Sequence, residues 1–334
     1  MSSLSQLFPS SGGGGGSGSS IKRVEYLLVG GGGASAGASP SIAGCGGGGG
    51  GRVVHSNEEL ATAGITTWTI NVGYGGNATD NPNFPTSSPS VNNSAFNGTP
   101  SSITDQNSVV IATANGGGTA GPVGSGPTIG SAGANNITTG GINTVSASVT
   151  RTSGTVSGEF VFYFDLGNPS GLPNETPAPS NAGGGGGAIE AGQYYHAPGG
   201  TTPFTLSYLT PTGPLADSID FNKGGRGYYS EITGTGVTYA QGGDGGPTTT
   251  PTNPGVTQPF NTGSGASAGG PSRPGTEFYG GSPGVCVVRW RSPLGDAASV
   301  TGNDPTLPST VNPGWYTYRF TTTSTSAGIG TISF

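Results

Sequence analysis

A chain of 334 residues with 69 glycines and 27 prolines has little scope for helix, and without a G-X-Y period it is not collagen-like. Only 8% of its residues are charged and the net charge is −6, so it lacks both the charge density that keeps disordered chains soluble and the clustered lysine and arginine of a nucleic-acid groove. Its 31% hydrophobic residues, with 12 tyrosines, 12 phenylalanines and 3 tryptophans, predict a folded, nearly helix-free chain.

In chain order, residues 1–20 set Leu4, Leu7 and Phe8 ahead of a Gly/Ser tether. Such a tether is a flexible coil that can reach. Two readings stand level: a peg that anchors the chain in a larger assembly, or a disordered terminus. The segment carries neither a basic n-region nor a long apolar stretch, and no apolar run in the chain approaches the ~20 residues of a membrane span.

The stretch 21–52, IKRVEYLLVGGGGASAGASPSIAGCGGGGGGR, sets the pattern for the rest of the chain. An alternating run around Val24, Tyr26 and Leu28 predicts a strand that feeds directly into glycine. The same unit recurs at 66–76 (TTWTINVGYGG), 108–118 (SVVIATANGGG), 237–246 (VTYAQGGDGG) and 282–293 (SPGVCVVRWRSP), the last emerging from a Gly-Gly pair. GEFVFYFDL at 158–166 predicts a strand whose bulk on both faces implies burial on both. Consecutive glycines lose much backbone entropy on ordering and bury no side chain in return. They must therefore be a flexible tether, or a backbone packed directly on other backbones.

Stretches 77–100 and 168–182, rich in Asn, Ser, Thr and Pro, read as long surface loops. Beyond 294, WYTYRFTTTSTSAGIGTISF carries a hairpin signal, with Tyr316, Tyr318 and Phe320 on one face of its first strand. It predicts a small terminal β-module or the edge of a sheet shared with residues 285–290. The expected organisation is a tether over 1–20, a glycine-rich domain over 21–293 and a C-terminal β-module over 294–334.

VEYLLVGGGG, INVGYGG, VTYAQGGDGG and PGVCVVRW, in this order, resemble the glycine-rich domain of bacteriophage tail-fibre and adhesin proteins, over roughly residues 21–292. The resemblance implies polyglycine II, three-residue-per-turn rods that lack internal hydrogen bonds and bond sideways to their neighbours. The expected fold is thus mostly β with polyglycine II helices. The resemblance further implies a phage virion structural protein made in the host cytoplasm, a tail fibre or adhesin subunit that joins other virion proteins through its N-terminus. Host polysaccharide or an outer-membrane protein would be its target. A capsid decoration or head-fibre protein is the alternative, and a polysaccharide-degrading tailspike a third reading. Fibres of this kind are commonly trimers, which makes Tyr318 and Phe320 candidate contacts between copies, with packing onto the chain's own glycine domain as the alternative.

No catalytic constellation emerges, and no cofactor or metal is expected. Gly31, Gly33 and Ala36 match a dinucleotide fingerprint, but Pro40 and more glycine follow where a helix must open. His55 and His196 are isolated and read as surface or loop residues. Asp217, Asp220, Glu175 and Glu190 offer carboxylates, yet nothing picks out a pair. Cys45 and Cys286 read as small buried apolar residues rather than a disulfide. Tyr194, Tyr195, Tyr228 and Tyr229 form two Tyr-Tyr pairs beside glycine that either stack on sugar rings of a receptor or cap the glycine rods.

Overall fold

The computed structural model describes residues 23–35, 47–59, 67–76, 97–119, 163–166, 185–189, 224–245, 261–267, 280–291, 299–302, 315–322 and 328–334. Among these there is no helix. The strands are β1 (Arg23–Val29), β2 (Val53–Glu59), β3 (Thr67–Val72), β4 (Ser101–Asp105), β5 (Val110–Ala114), β6 (Tyr163–Leu166), β7 (Tyr228–Ser230), β8 (Val237–Tyr239), β9 (Val285–Arg291), β10 (Ser299–Thr301), β11 (Trp315–Phe320) and β12 (Gly328–Ser333). One sheet runs β11-β9-β1-β2-β6, a second runs β10-β12-β3-β4-β5, and β7 pairs with β8 alone. The fold is mostly β, as its alternating runs predict.

The period of two decides which side chains meet. Val24, Tyr26 and Leu28 of β1, Cys286, Val288 and Trp290 of β9, and Tyr318 and Phe320 of β11 point to one face of the first sheet. There they pack against Trp68, Ile70 and Val72 of β3, Ile103 of β4 and Ile332 of β12 from the second sheet. The result is a sandwich core centred on aromatic rings. Trp68 meets Tyr26 edge-on at 5.8 Å, Trp290 stacks on Tyr318 at 5.4 Å, and Phe334 packs edge-on against both tryptophans. The other face of the first sheet carries Leu27, Val29, Val53, Val285 and Val287, covered by Tyr228, Ile232 and Tyr239 of the β7–β8 hairpin. β1 and β9 are therefore buried on both sides, which explains why their sequences are the most continuously apolar of the chain.

At one end of the sandwich the chain leaves the sheets as extended rods. Segments 30–35, 47–52, 73–76, 97–100, 115–119 and 280–284 adjoin sandwich strands, 224–227 and 240–245 flank the β7–β8 hairpin, 185–188 and 261–267 pair among them, and their hydrogen bonds run sideways. The three-residue period is written in the partners. Gly48 and Gly51 donate to Ala266 and Gly263, Gly49 and Arg52 to Gly118 and Asn115, and Gly30 and Gly33 to Arg52 and Gly49, all at 2.7–3.0 Å. In each pair a step of three residues along one rod matches a step of three backwards along its neighbour. Antiparallel polyglycine II rods must pair in this way. Rod 47–52 is the hub, since its N–H groups reach rods 115–119, 185–188 and 261–267 in turn. Residues 97–100, expected within a loop, form a rod: Gly98 donates to Gly117 and Thr99 to Tyr74.

Glycine is needed here for closeness rather than for backbone angle. Among the described glycines only Gly234, Gly263 and Gly302 take a positive φ. Elsewhere a side chain fails because a Cβ at Gly48, for example, would strike the carbonyl of Gly33 on the next rod.

The C-terminal segment forms no hairpin, and its first strand takes the other expected place, the edge of the sheet that holds residues 285–290. β11 joins the edge of the first sheet beside β9, whereas β12 lies between β10 and β3 in the second. Each strand has one apolar face, and splitting them between the sheets lets those faces cover one another. Tyr318 and Phe320, 9% and 1% exposed, thus sit in the sandwich core, packed on the glycine-rich domain of their own chain. Cys286 is likewise buried with a free thiol, while Cys45 lies outside the described residues.

Gly48→Val is expected to lower stability by about 3 kcal/mol or to prevent folding, since several lateral bonds of about 1 kcal/mol each are separated at once. An unchanged thermal midpoint would show that the rods tolerate side chains. Phe320→Ser should cost roughly 3 kcal/mol or more in chemical denaturation, with the apparent mass of the folded species in sedimentation unchanged.

Candidate functional site

Away from the strands, several rod ends meet one another. Side chains as well as backbone groups make the hydrogen bonds near this end. Asn97 Oδ1 accepts from the Thr119 N–H at 2.7 Å, and Thr119 Oγ1 donates to the Ala34 carbonyl at 3.0 Å. Asp244 Oδ1 accepts from the Gly224 N–H at 2.8 Å while its own N–H donates to Ser267 Oγ at 3.0 Å. The chain leaves and re-enters the bundle at this capped end across residues 36–46, 77–96 and 268–279, which lie outside the described residues. Their sequences, such as NATDNPNFPTSSPSVNNSAF at 77–96, are rich in small polar residues and proline.

A second polar constellation lies under the β7–β8 hairpin. Glu25 in β1 faces Arg289 directly across the ladder in β9, and His55 in β2 lies diagonally opposite Glu25. The carboxylate takes a two-pronged contact from the guanidinium, Nε at 2.7 Å and Nη2 at 3.0 Å. His55 Nε2 lies 2.8 Å from Glu25 Oε1 and its Nδ1 2.7 Å from the Tyr228 hydroxyl. Arg289 also donates to the Ile232 carbonyl at 3.3 Å and stacks 4.7 Å from the Trp315 ring. Both ring nitrogens of His55 thus have a hydrogen-bond partner, the carboxylate on one side and the tyrosine hydroxyl on the other.

The order carboxylate, imidazole, hydroxyl is that of a catalytic relay, here in a buried setting. His55 and Tyr228 are each 8% exposed, and Tyr228 belongs to the buried cluster that includes Leu27, Val53 and Val287. Burial raises the Tyr228 phenol well above its usual range, with the Glu25 charge adding to the effect, so it stays a proton donor. Burial also pushes the Glu25 carboxyl upward, yet the hydrogen bond from His55 and the charge of Arg289 prevail and hold it at about 2. The cluster pins the hairpin to the sheet.

His55 is therefore not the surface residue its isolation in sequence suggests. Its partners are 30 and 173 positions away. The signal available was one interior charge in each of two largely apolar strands, Glu25 in RVEYLLV and Arg289 in VCVVRWR, which had to meet. Of the tyrosine pairs, Tyr228 faces inward, while Tyr229 is 51% exposed and bonds Glu231 at 2.9 Å. Tyr194 and Tyr195, like Leu4, Leu7, Phe8 and His196, lie outside the described residues, as do Asp217, Asp220, Glu175 and Glu190.

The family described as the glycine-rich domain matches residues 17–291. The chain belongs to that family. No curated protein and no solved structure matches it at a significant level. The matched span takes in every rod and ends with β9, so the glycine-rich domain as the family defines it stops before β10, β11 and β12.

Within the glycine-rich domain, Glu25→Gln should cost about 1–3 kcal/mol by leaving the part-buried Arg289 without its carboxylate, and Tyr228→Phe about 1 kcal/mol. A glutamate held near 2 against an ordinary 4.5 contributes stability that is fully present above pH 4.5 and is lost as pH falls toward 2. The shift corresponds to roughly 3 kcal/mol. Denaturation midpoints measured between pH 7 and 2 should show this acid-side loss in the parent protein and a shallower one in Glu25→Gln.

Proposed function

We propose that the protein is a phage virion structural protein, a tail-fibre or adhesin subunit whose rod bundle holds surface loops against the host cell. The observation that carries this reading is the placement of chain returns: residues 36–46, 77–96 and 268–279 all start and finish at the capped end of one rigid bundle. Backbone bonds between rods do not depend on what those segments contain, so their sequences are free to serve recognition. Binding segments mounted on a stiff scaffold lose little entropy on contact. The low charge of the chain suits a neutral or mixed target such as host polysaccharide or an outer-membrane protein rather than a steered ionic partner. Attachment to other virion proteins is assigned to Leu4, Leu7 and Phe8 at the end of the Gly/Ser tether.

Fluorescently labelled protein is expected to coat susceptible cells and to compete with particle adsorption. Replacing 77–96 by a short Gly/Ser linker should abolish coating while leaving the thermal midpoint within a few degrees. Electron microscopy of particles with a tagged copy should place the tag on the tail. A tag on the capsid shell, or cell binding that survives replacement of all three returns, would defeat the reading.

A further inference from the structure

We propose that β10, β11 and β12 together form a donor segment, which completes the sandwich by strand insertion and which a second copy of the chain can supply. The segment behaves as an inserted element rather than an appended one. β11 runs along β9 with Trp315 opposite Arg291 and Phe320 opposite Cys286. β12 runs along β3 with Gly328 opposite Val72 and Ser333 opposite Thr67, and β10 pairs with β12. The segment's two long strands pair with the glycine-rich domain in different sheets.

What they cover is the centre of the core. Tyr318 stacks on Trp290, Phe334 packs between Trp290 and Trp68, and Phe320 and Ile332 are 1% and 0% exposed. Residues 17–291 on their own would present β9 and β3 as open edges, each beside an uncovered tryptophan. Open edges of this kind are pairing templates. Their backbone groups accept any extended strand, while the inward pockets select one that places aromatic or β-branched side chains at alternate positions. Tyr316, Tyr318 and Phe320 on β11, with Ile332 on β12 and Phe334 just beyond it, meet that requirement. The segment that fits is thus one that every copy of this chain carries, and exchange of identical elements makes no new kind of contact.

The test uses two full-length variants with different affinity tags. One keeps the acceptor edges and spoils the donor with Tyr318→Asp and Ile332→Asp. The other keeps the donor and spoils the acceptor with Val288→Asp and Ile70→Asp. Each alone is expected to lose the near-ultraviolet signal of the packed tryptophans and to be insoluble. Produced together they should yield soluble protein that carries both tags and melts cooperatively. Co-production that gives no more soluble protein than either variant alone overturns the proposal, as does a donor-spoiled variant that folds unaided. Parent protein cut by a protease site placed between 303 and 314 supplies an independent reading. Its pieces should stay together through gel filtration and part only on unfolding, and release of the C-terminal piece from a remainder that keeps its tryptophan signal would again overturn it.

Discussion

Everything in this molecule depends on backbone groups that have no partner within their own segment. A polyglycine II rod makes no internal hydrogen bonds, so each N–H must find a carbonyl on another rod, and each rod must be close enough to reach. That closeness excludes a Cβ at positions such as Gly31, Gly48 and Gly243, where it would meet the carbonyl of Tyr74, Gly33 or Ala266. The bundle is consequently collective. Rod 47–52 bonds to segments more than two hundred residues away in sequence, and none of these rods is satisfied until the others are in place.

A bundle of this kind gains hydrogen bonds but buries almost no apolar side chain, and ordering glycine carries the highest backbone entropy cost of any residue. The sandwich supplies what the bundle lacks. Its first sheet is apolar on both faces, one turned to the second sheet and one to the β7–β8 hairpin. Because the rods continue the strands, the spacing of the sheets sets the starting positions of the rods. Ser101 ties the two at their junction, donating to the Val29 carbonyl of one sheet at 2.7 Å and accepting from the Gly73 N–H beyond the other at 2.9 Å. Where the apolar cover of the first sheet runs out, Glu25, His55, Arg289 and Tyr228 satisfy one another instead.

This division of labour bears on function. The sheets hold their geometry through strand pairing and an apolar core, and the rods through backbone pairing with one another. Under the reading of the protein as an adhesin subunit, such a scaffold stays fixed while the sequences of the segments that join its rods vary.

The alternation of Val24, Tyr26 and Leu28, of Trp68, Ile70 and Val72, and of Cys286, Val288 and Trp290 determined strands, and the glycine that adjoins each determined where strand gives way to rod. These are local properties of backbone and period, and the chain alone states them. β2 and β4 were not evident, because VVHSNEE turns polar after its first two residues and SSITD is short and polar, and both become strands only through the neighbours they pair with. Nor could the sequence assign β11 and β12 to different sheets, since a hairpin and a split pair share the same alternation. Only the tertiary structure decided which rod bonds which, that His55 is buried rather than exposed, and that Tyr318 and Phe320 face their own core. Each of these is a contact between residues far apart in the chain, set by how faces and edges close together, and no local pattern encodes it.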